Sequence, residues 1–127
     1  PIINNKAKYL FKNDFAPFKN KKTFFAMTAH IIYKNIDPFN TATHSDKIIK
    51  LIRNKIGFKN IIISDDISMK ALKNSIKINT LKAFAAGCNL ILHCNANYAE
   101  MRVVAENSPL VNKFIIKKTS QFYSFLS

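Results

Sequence analysis

Three short apolar runs, Phe24–Thr28, Ile61–Ile63 and Leu90–Cys94, are set apart by stretches of helical periodicity, and this alternation constrains the fold more than any other feature. Ile61-Ile62-Ile63 is β-branched and apolar on both faces, the pattern of a parallel strand covered on both sides. Before it, Ile48, Ile49, Ile52 and Ile56 recur at helical spacing. Ser45 is placed to cap that helix, Asp46 sits in its first turn, and Gly57 stands where a left-handed residue ends it. After it, a helix is predicted from about Met69 to Ala86, with Leu72, Ile76, Ala83 and Phe84 inward and Gly87 at its end. A helix over Tyr98–Glu106 follows the third run. Ser108-Pro109 predicts a cap and first residue for a final helix reaching about Leu126, with Leu110, Phe114, Ile115, Phe122 and Phe125 as its stripe. Upstream, Leu10, Phe11, Phe15 and Phe18 give a helix that Pro17 bends or restarts.

Strand–helix alternation with apolar strands means an α/β fold of right-handed βαβ units around a parallel sheet. At 127 residues and 48% hydrophobic content the chain supports one modest core, not two domains. Three strands cannot close a barrel, which leaves a small open sheet or one side of a larger α/β structure. The chain opens on Pro1 rather than Met, and the start of the natural protein is expected upstream. No secretory signal or transmembrane-length apolar run is legible; even Phe84–Cys94 is interrupted by Gly87 and Asn89.

The formal charge of +13 invites a nucleic-acid reading. The lysines, however, are scattered from Lys6 to Lys118, with only Lys21-Lys22 and Lys117-Lys118 adjacent. No nucleic-acid motif accompanies them, so a solvated face is expected, and no nucleic-acid or membrane partner. A basic, non-catalytic binding module is the alternative in a different class, resting on charge alone. Cys88 and Cys94 bracket an extended run that holds them about 20 Å apart at roughly 3.3 Å per residue, too far for a disulfide. His93 and Cys94, adjacent on a strand, point to opposite faces and do not make a metal site. Free thiols fit a reducing cytoplasm.

In α/β folds chemistry sits beyond the C-terminal ends of the strands. His30, Ser64-Asp65-Asp66 and His93-Cys94-Asn95 fall there. Asp65 at a strand terminus is a candidate nucleophile, general base or metal ligand, while Asp66 is expected to cap the helix predicted at Met69.

Ala26-Met27-Thr28-Ala29-His30-Ile31-Ile32-Tyr33, Ile36-Asp37-Pro38, Ala42-Thr43-His44-Ser45 and Arg53 with Gly57-Phe58 come in order. Ile63-Ser64-Asp65-Asp66-Ile67-Ser68-Met69-Lys70-Ala71, Ala86-Gly87-Cys88-Asn89, Leu92-His93-Cys94-Asn95 and Glu100-Met101 continue the series. Together they resemble the cytoplasmic β-N-acetylhexosaminidases of glycoside hydrolase family 3. The resemblance implies that residues 1–127 are the C-terminal part of the family's (β/α)8 barrel, strands six to eight with their helices, as a single incomplete domain. It implies that Asp65 is the nucleophile of a retaining hydrolysis of terminal β-linked N-acetylglucosamine. The implied substrate is a muropeptide from peptidoglycan recycling, with no metal or organic cofactor and a cytoplasmic location. His30 and Met69 are candidate substrate-binding residues, each against a packed core role. The family's acid/base loop, with its Lys-His-Phe-Pro-Gly-His-Gly signature, has no counterpart here, so the chain is expected to be inactive without the N-terminal barrel half. Thr41, Asn60 and Asn89 also depart from the family pattern.

Overall fold

The computed structural model describes residues 1–19 and 21–126. In chain order the elements are β1 (Ile2–Ile3), α1 (Ala7–Lys12), β2 (Phe25–Met27), β3 (Ile32–Tyr33), α2 (Asp46–Leu51), β4 (Ile61–Ile63), α3 (Ile76–Ala86), α4 (Tyr98–Glu106) and α5 (Lys113–Leu126). The architecture is α/β, and both strand pairs are parallel. β2 lies beside β4, with Phe25 opposite Ile61 and Met27 opposite Ile63, and β1 lies beside β3.

The helix signals act locally as their chemistry requires. Ser45 Oγ accepts the Ile48 amide, and the helix runs from Asp46 through Leu51 into a wider π turn at Ile52–Ile56. Gly57 ends it at φ +84°, a conformation that a Cβ disfavours. α4 spans the residues expected and is capped by Asn97, whose side chain accepts the Glu100 amide. Upstream, the helical reading divides into α1 and a 3-10 turn at Ala16–Phe18 that Pro17 opens.

Three expectations require correction. No helix begins at Met69: residues 67–75 are turns, and α3 starts at Ile76 because Ser75 Oγ takes the Ile78 amide. Leu72 is nevertheless buried, as expected. The run Leu90–Cys94 makes a single parallel bridge, Leu90 to Ile63, in place of a full strand. Side chains substitute for ladder rungs there. Asn89 Oδ1 takes the Ile62 amide at 2.9 Å, and Ser64 Oγ takes the Leu92 amide at 2.9 Å. Finally, Pro109 does not open the last helix. Asn107 and Ser108 turn back to the carbonyls of Val103 and Val104 and close α4, while Asn112 Oδ1 accepts the Ile115 amide at the start of α5. Leu110 is consequently 95% exposed rather than on an inward stripe.

The core lies against the β2–β4 pair, where Ile49, Phe58, Ile62, Ala83, Ala86 and Cys88 are buried together. Each large aliphatic or aromatic side chain buried here contributes roughly 1.5–3 kcal/mol relative to exposure. A second cluster holds Leu10, Phe15 and Ile56, with Phe11 and Tyr33 meeting Phe15 edge-on at 5.5 and 5.3 Å. α5 is anchored through Phe122, whose ring lies 5.2 Å from both Phe24 and Phe25. Both cysteines are free thiols. Cys88 is buried, with its pKa pushed up to about 11 by desolvation, and Cys94 is exposed. Among the described residues no helix is long and apolar enough to cross a membrane.

Candidate active site

The parallel pairing of β2 and β4 brings Thr28, His30 and the Ser64-Asp65-Asp66 block to one end of the sheet. Thr28 extends β2 by donating its amide to Ile63 O at 2.9 Å. Its hydroxyl then accepts the Asp65 amide at 3.3 Å. Asp65 is half-buried, and its Oδ1 takes the amide of Asp66 at 2.8 Å. Ser64 is buried, and its hydroxyl is given over to the Leu92 amide. The carboxylate is therefore oriented mainly by its own backbone.

Asp66 does not cap a helix. Its Oδ1 accepts the Ser68 amide at 3.0 Å, the Ser68 hydroxyl at 2.8 Å and the Cys94 amide at 3.2 Å. It thereby ties the loop after β4 to the segment after Leu90. Partial burial works to raise its pKa, but the bonds from Ser68 and Cys94 and the nearby His93 outweigh that and hold it below the ordinary carboxylate value.

His30 is 4% exposed and has both ring nitrogens engaged. Nδ1 lies 2.9 Å from Thr43 Oγ1, and Nε2 lies 2.8 Å from the carbonyl of Asp66. Of its two expected roles, this geometry favours the packed, hydrogen-bonded one. Met69 is 44% exposed in the turn beyond Asp66, its amide donating to Asp66 O at 3.2 Å. His93 and Glu100 form a pair that the spacing did not reveal, with Nε2 2.8 Å from Oε2. The His93 side chain is 6% exposed, and its Nδ1 is buried with no partner among the described residues. The bonds from His93 and Asn95 hold the Glu100 carboxyl below its usual range.

Sequence reasoning passed over Thr28 and Thr43. The signal for both is faint: a threonine closing an apolar run, and another in a polar turn. Among the described residues no group of three or more His, Cys, Asp or Glu could hold a metal ion. A cavity of about 590 Å³ lies between β2 and α2 and reaches Thr28. Phe25, Met27, Ile48, Ile52 and Phe58 are among its walls, and it contains no carboxylate.

Comparison with known proteins places this geometry in context. Residues 1–120 match the model of the glycosyl hydrolase family 3 N terminal domain. A β-hexosaminidase of Nitrosomonas eutropha is 41% identical over 90 residues, covering 66% of this chain and 26% of that protein. One from Vibrio cholerae is 32% identical over 106 residues, covering 79% of this chain and 32% of its own length. The chain thus spans about a third or less of these curated relatives. Among solved structures, the β-N-acetylglucosaminidase of Thermotoga maritima superposes with a TM-score of 0.75 at 33% identity, covering 84% of this chain and 25% of that one. NagZ of Neisseria gonorrhoeae superposes at 0.79 with 27% identity, covering 93% and 35%. That protein has also been solved in complex with N-trifluoroacetyl-D-glucosamine. With residues 1–120 matched by the family's N-terminal domain, this chain belongs to glycosyl hydrolase family 3, where it is similar to proteins named β-hexosaminidase and β-N-acetylglucosaminidase.

Proposed function

We propose that this chain is the C-terminal part of a family 3 catalytic barrel, supplying strands six to eight with their helices over residues 1–127, and that Asp65 is its catalytic nucleophile. The observation that carries the assignment is the placement of Asp65. It is a half-buried carboxylate directly beyond β4, with its amide held by Thr28 and the carbonyl of the next residue, Asp66, held by His30. A rigid backbone around an ionised carboxylate is what nucleophilic attack at a sugar requires.

In the retaining reaction the Asp65 carboxylate bonds to the anomeric carbon as the glycosidic C–O bond breaks, and the leaving oxygen takes a proton from an acid residue. Water then attacks the same carbon, surrenders its proton to that residue as base, and releases Asp65. The acid/base residue belongs to the part of the barrel that this sequence does not contain, so the chain alone is inactive. The substrate is a terminal β-linked N-acetylglucosamine on a muropeptide, turned over in the cytoplasm during cell-wall recycling. Met69, exposed in the turn beyond Asp66, is the candidate to lie beside the sugar. The contrary reading, a basic non-catalytic binding module, has only the +13 charge behind it.

The test is complementation. The chain is joined to the N-terminal portion of the Nitrosomonas eutropha relative, and release of p-nitrophenol from its β-N-acetylglucosaminide is measured. The completed barrel turns over, the chain alone does not, and Asp65→Ala lowers kcat by more than about 1,000-fold. Turnover at the parental rate in Asp65→Ala would remove Asp65 from the mechanism.

A further inference from the structure

We infer that Thr28, Thr43 and His30 form a positioning relay that sets the direction of the Asp65–Asp66 backbone and, through it, the aim of the Asp65 carboxylate. The inference deepens the proposed function and rests on Asp65 being the nucleophile.

The hydrogen positions follow from what each atom is able to do. The carbonyl of Asp66 only accepts, so the 2.8 Å contact requires His30 Nε2 to carry the hydrogen. With Nε2 as donor, Nδ1 is free to accept, and the neighbour within reach is the Thr43 hydroxyl at 2.9 Å. Thr43 has one hydrogen. Given to His30, it leaves the Thr43 oxygen to accept from Thr28 Oγ1, also at 2.9 Å. The competing acceptor for Thr43, the carbonyl of Ala29, is more distant at 3.3 Å. Thr28 Oγ1 in turn accepts the Asp65 amide. The bonds therefore run in one direction, from the Asp65 amide through two hydroxyls and an imidazole to the Asp66 carbonyl, and close through the backbone of Asp65 and Asp66.

Thr28, His30 and Thr43 are all buried. Little solvent competes for their bonds, and each bond polarises the next. Such a network is costly where it is only partly satisfied, and ordinary packing would have served the core with apolar residues of the same shape. Here every member is satisfied, and both ends of the relay terminate on main-chain atoms of the two aspartates. Because the Asp65 carboxylate takes, among the described residues, the Asp66 amide alone, its aim follows that backbone.

Two measurements on the 127-residue chain read the relay without reference to activity. Long-range proton–nitrogen NMR of the His30 ring shows a single Nε2–H tautomer in the parent; an Nδ1–H tautomer, or a ring exchanging between both, would overturn the relay. Thr28→Val, which keeps the shape and removes the hydroxyl, raises the Asp65 amide exchange rate by about tenfold, the equivalent of one lost hydrogen bond, and Thr28→Ser restores it. An unchanged rate in a folded Thr28→Val chain also overturns it.

In the completed barrel, Thr28→Val and Thr43→Val lower kcat by about 10- to 100-fold with little change in KM, and the serine variants recover most of the loss. Parental kcat in both folded valine variants contradicts the relay. Full turnover in Asp65→Ala, or an inactive completed barrel, counts against the proposed function alone. The ring tautomer and the Asp65 exchange rate still decide the relay.

Discussion

Arg53 donates from its guanidinium to Asn89 Oδ1 at 2.7 Å, and that same oxygen takes the amide of Ile62 at 2.9 Å. One amide oxygen thus joins the end of α2, the middle of β4 and the approach to the Leu90 segment. Arg53 also donates to the carbonyls of Phe58 and Asn60 and stands over the rings of Phe58 and Phe114. Asn89→Ala leaves a half-buried guanidinium short of a partner and the Ile62 amide unsatisfied, and destabilises the chain by about 2–3 kcal/mol in urea denaturation. Asn89→Asp keeps the shared acceptor oxygen and turns the Arg53 bond into an ion pair, so its denaturation midpoint rises above that of the parent.

Gly87 ends α3 at φ +112°, and a Cβ there would lie 2.9 Å from Ile49 Cγ2. Gly87→Ala combines a disfavoured backbone with a clash against the core. A loss of about 1–3 kcal/mol is expected in thermal or chemical unfolding. Ile49→Val removes Cδ1 but keeps a methyl at the Cγ2 position that the new Cβ meets, so it does not restore the double variant to parental stability.

His44 gives the fold a pH dependence. Burial pushes its pKa down to about 4, with Lys82 and His30 adding to the fall and the hydrogen bond to the Asn79 carbonyl opposing it. Below the ordinary histidine pKa the unfolded chain binds a proton that the folded chain does not. The contribution of His44 is therefore complete above about pH 6.5 and is lost as the pH falls toward 4. After allowing for its partial exposure, the loss is roughly 1–2 kcal/mol. Urea midpoints measured from pH 7 down to pH 4 fall in the parent, and the fall is shallower in His44→Gln.

The fold was legible where one side chain decides one local event. Ser45, Gly57 and Asn97 act on backbone groups within four residues, and the helices they bound lie where their spacing predicts. It was illegible where distant polar groups compete for the same backbone. The pairing of Ile2–Ile3 with Ile32–Tyr33 is too short for any periodicity and spans about thirty residues of sequence. The helix predicted at Met69 does not form, and Asp66, its expected cap, takes the amide and hydroxyl of Ser68 and the amide of Cys94 instead. Leu90–Cys94 has the composition of a strand, but Asn89 and Ser64 occupy the amides that a ladder would use. At the site, strand-end position and ordered motifs singled out Asp65. The Thr28–Thr43–His30 connection needed coordinates, because Thr43 lies 15 and 13 residues from Thr28 and His30, and these lie 37 and 36 from the aspartates they hold.

The central claim, that Asp65 bonds covalently to the sugar, is tested most directly by trapping the intermediate. The completed barrel is quenched during turnover of a slowly hydrolysed N-acetylglucosaminyl fluoride, digested, and its peptides weighed. The account predicts one N-acetylhexosaminyl group on the peptide carrying Asp65, with fragmentation placing it on that side chain and Asp65→Asn abolishing it. A sugar attached to Asp66 or to any other carboxylate would contradict it.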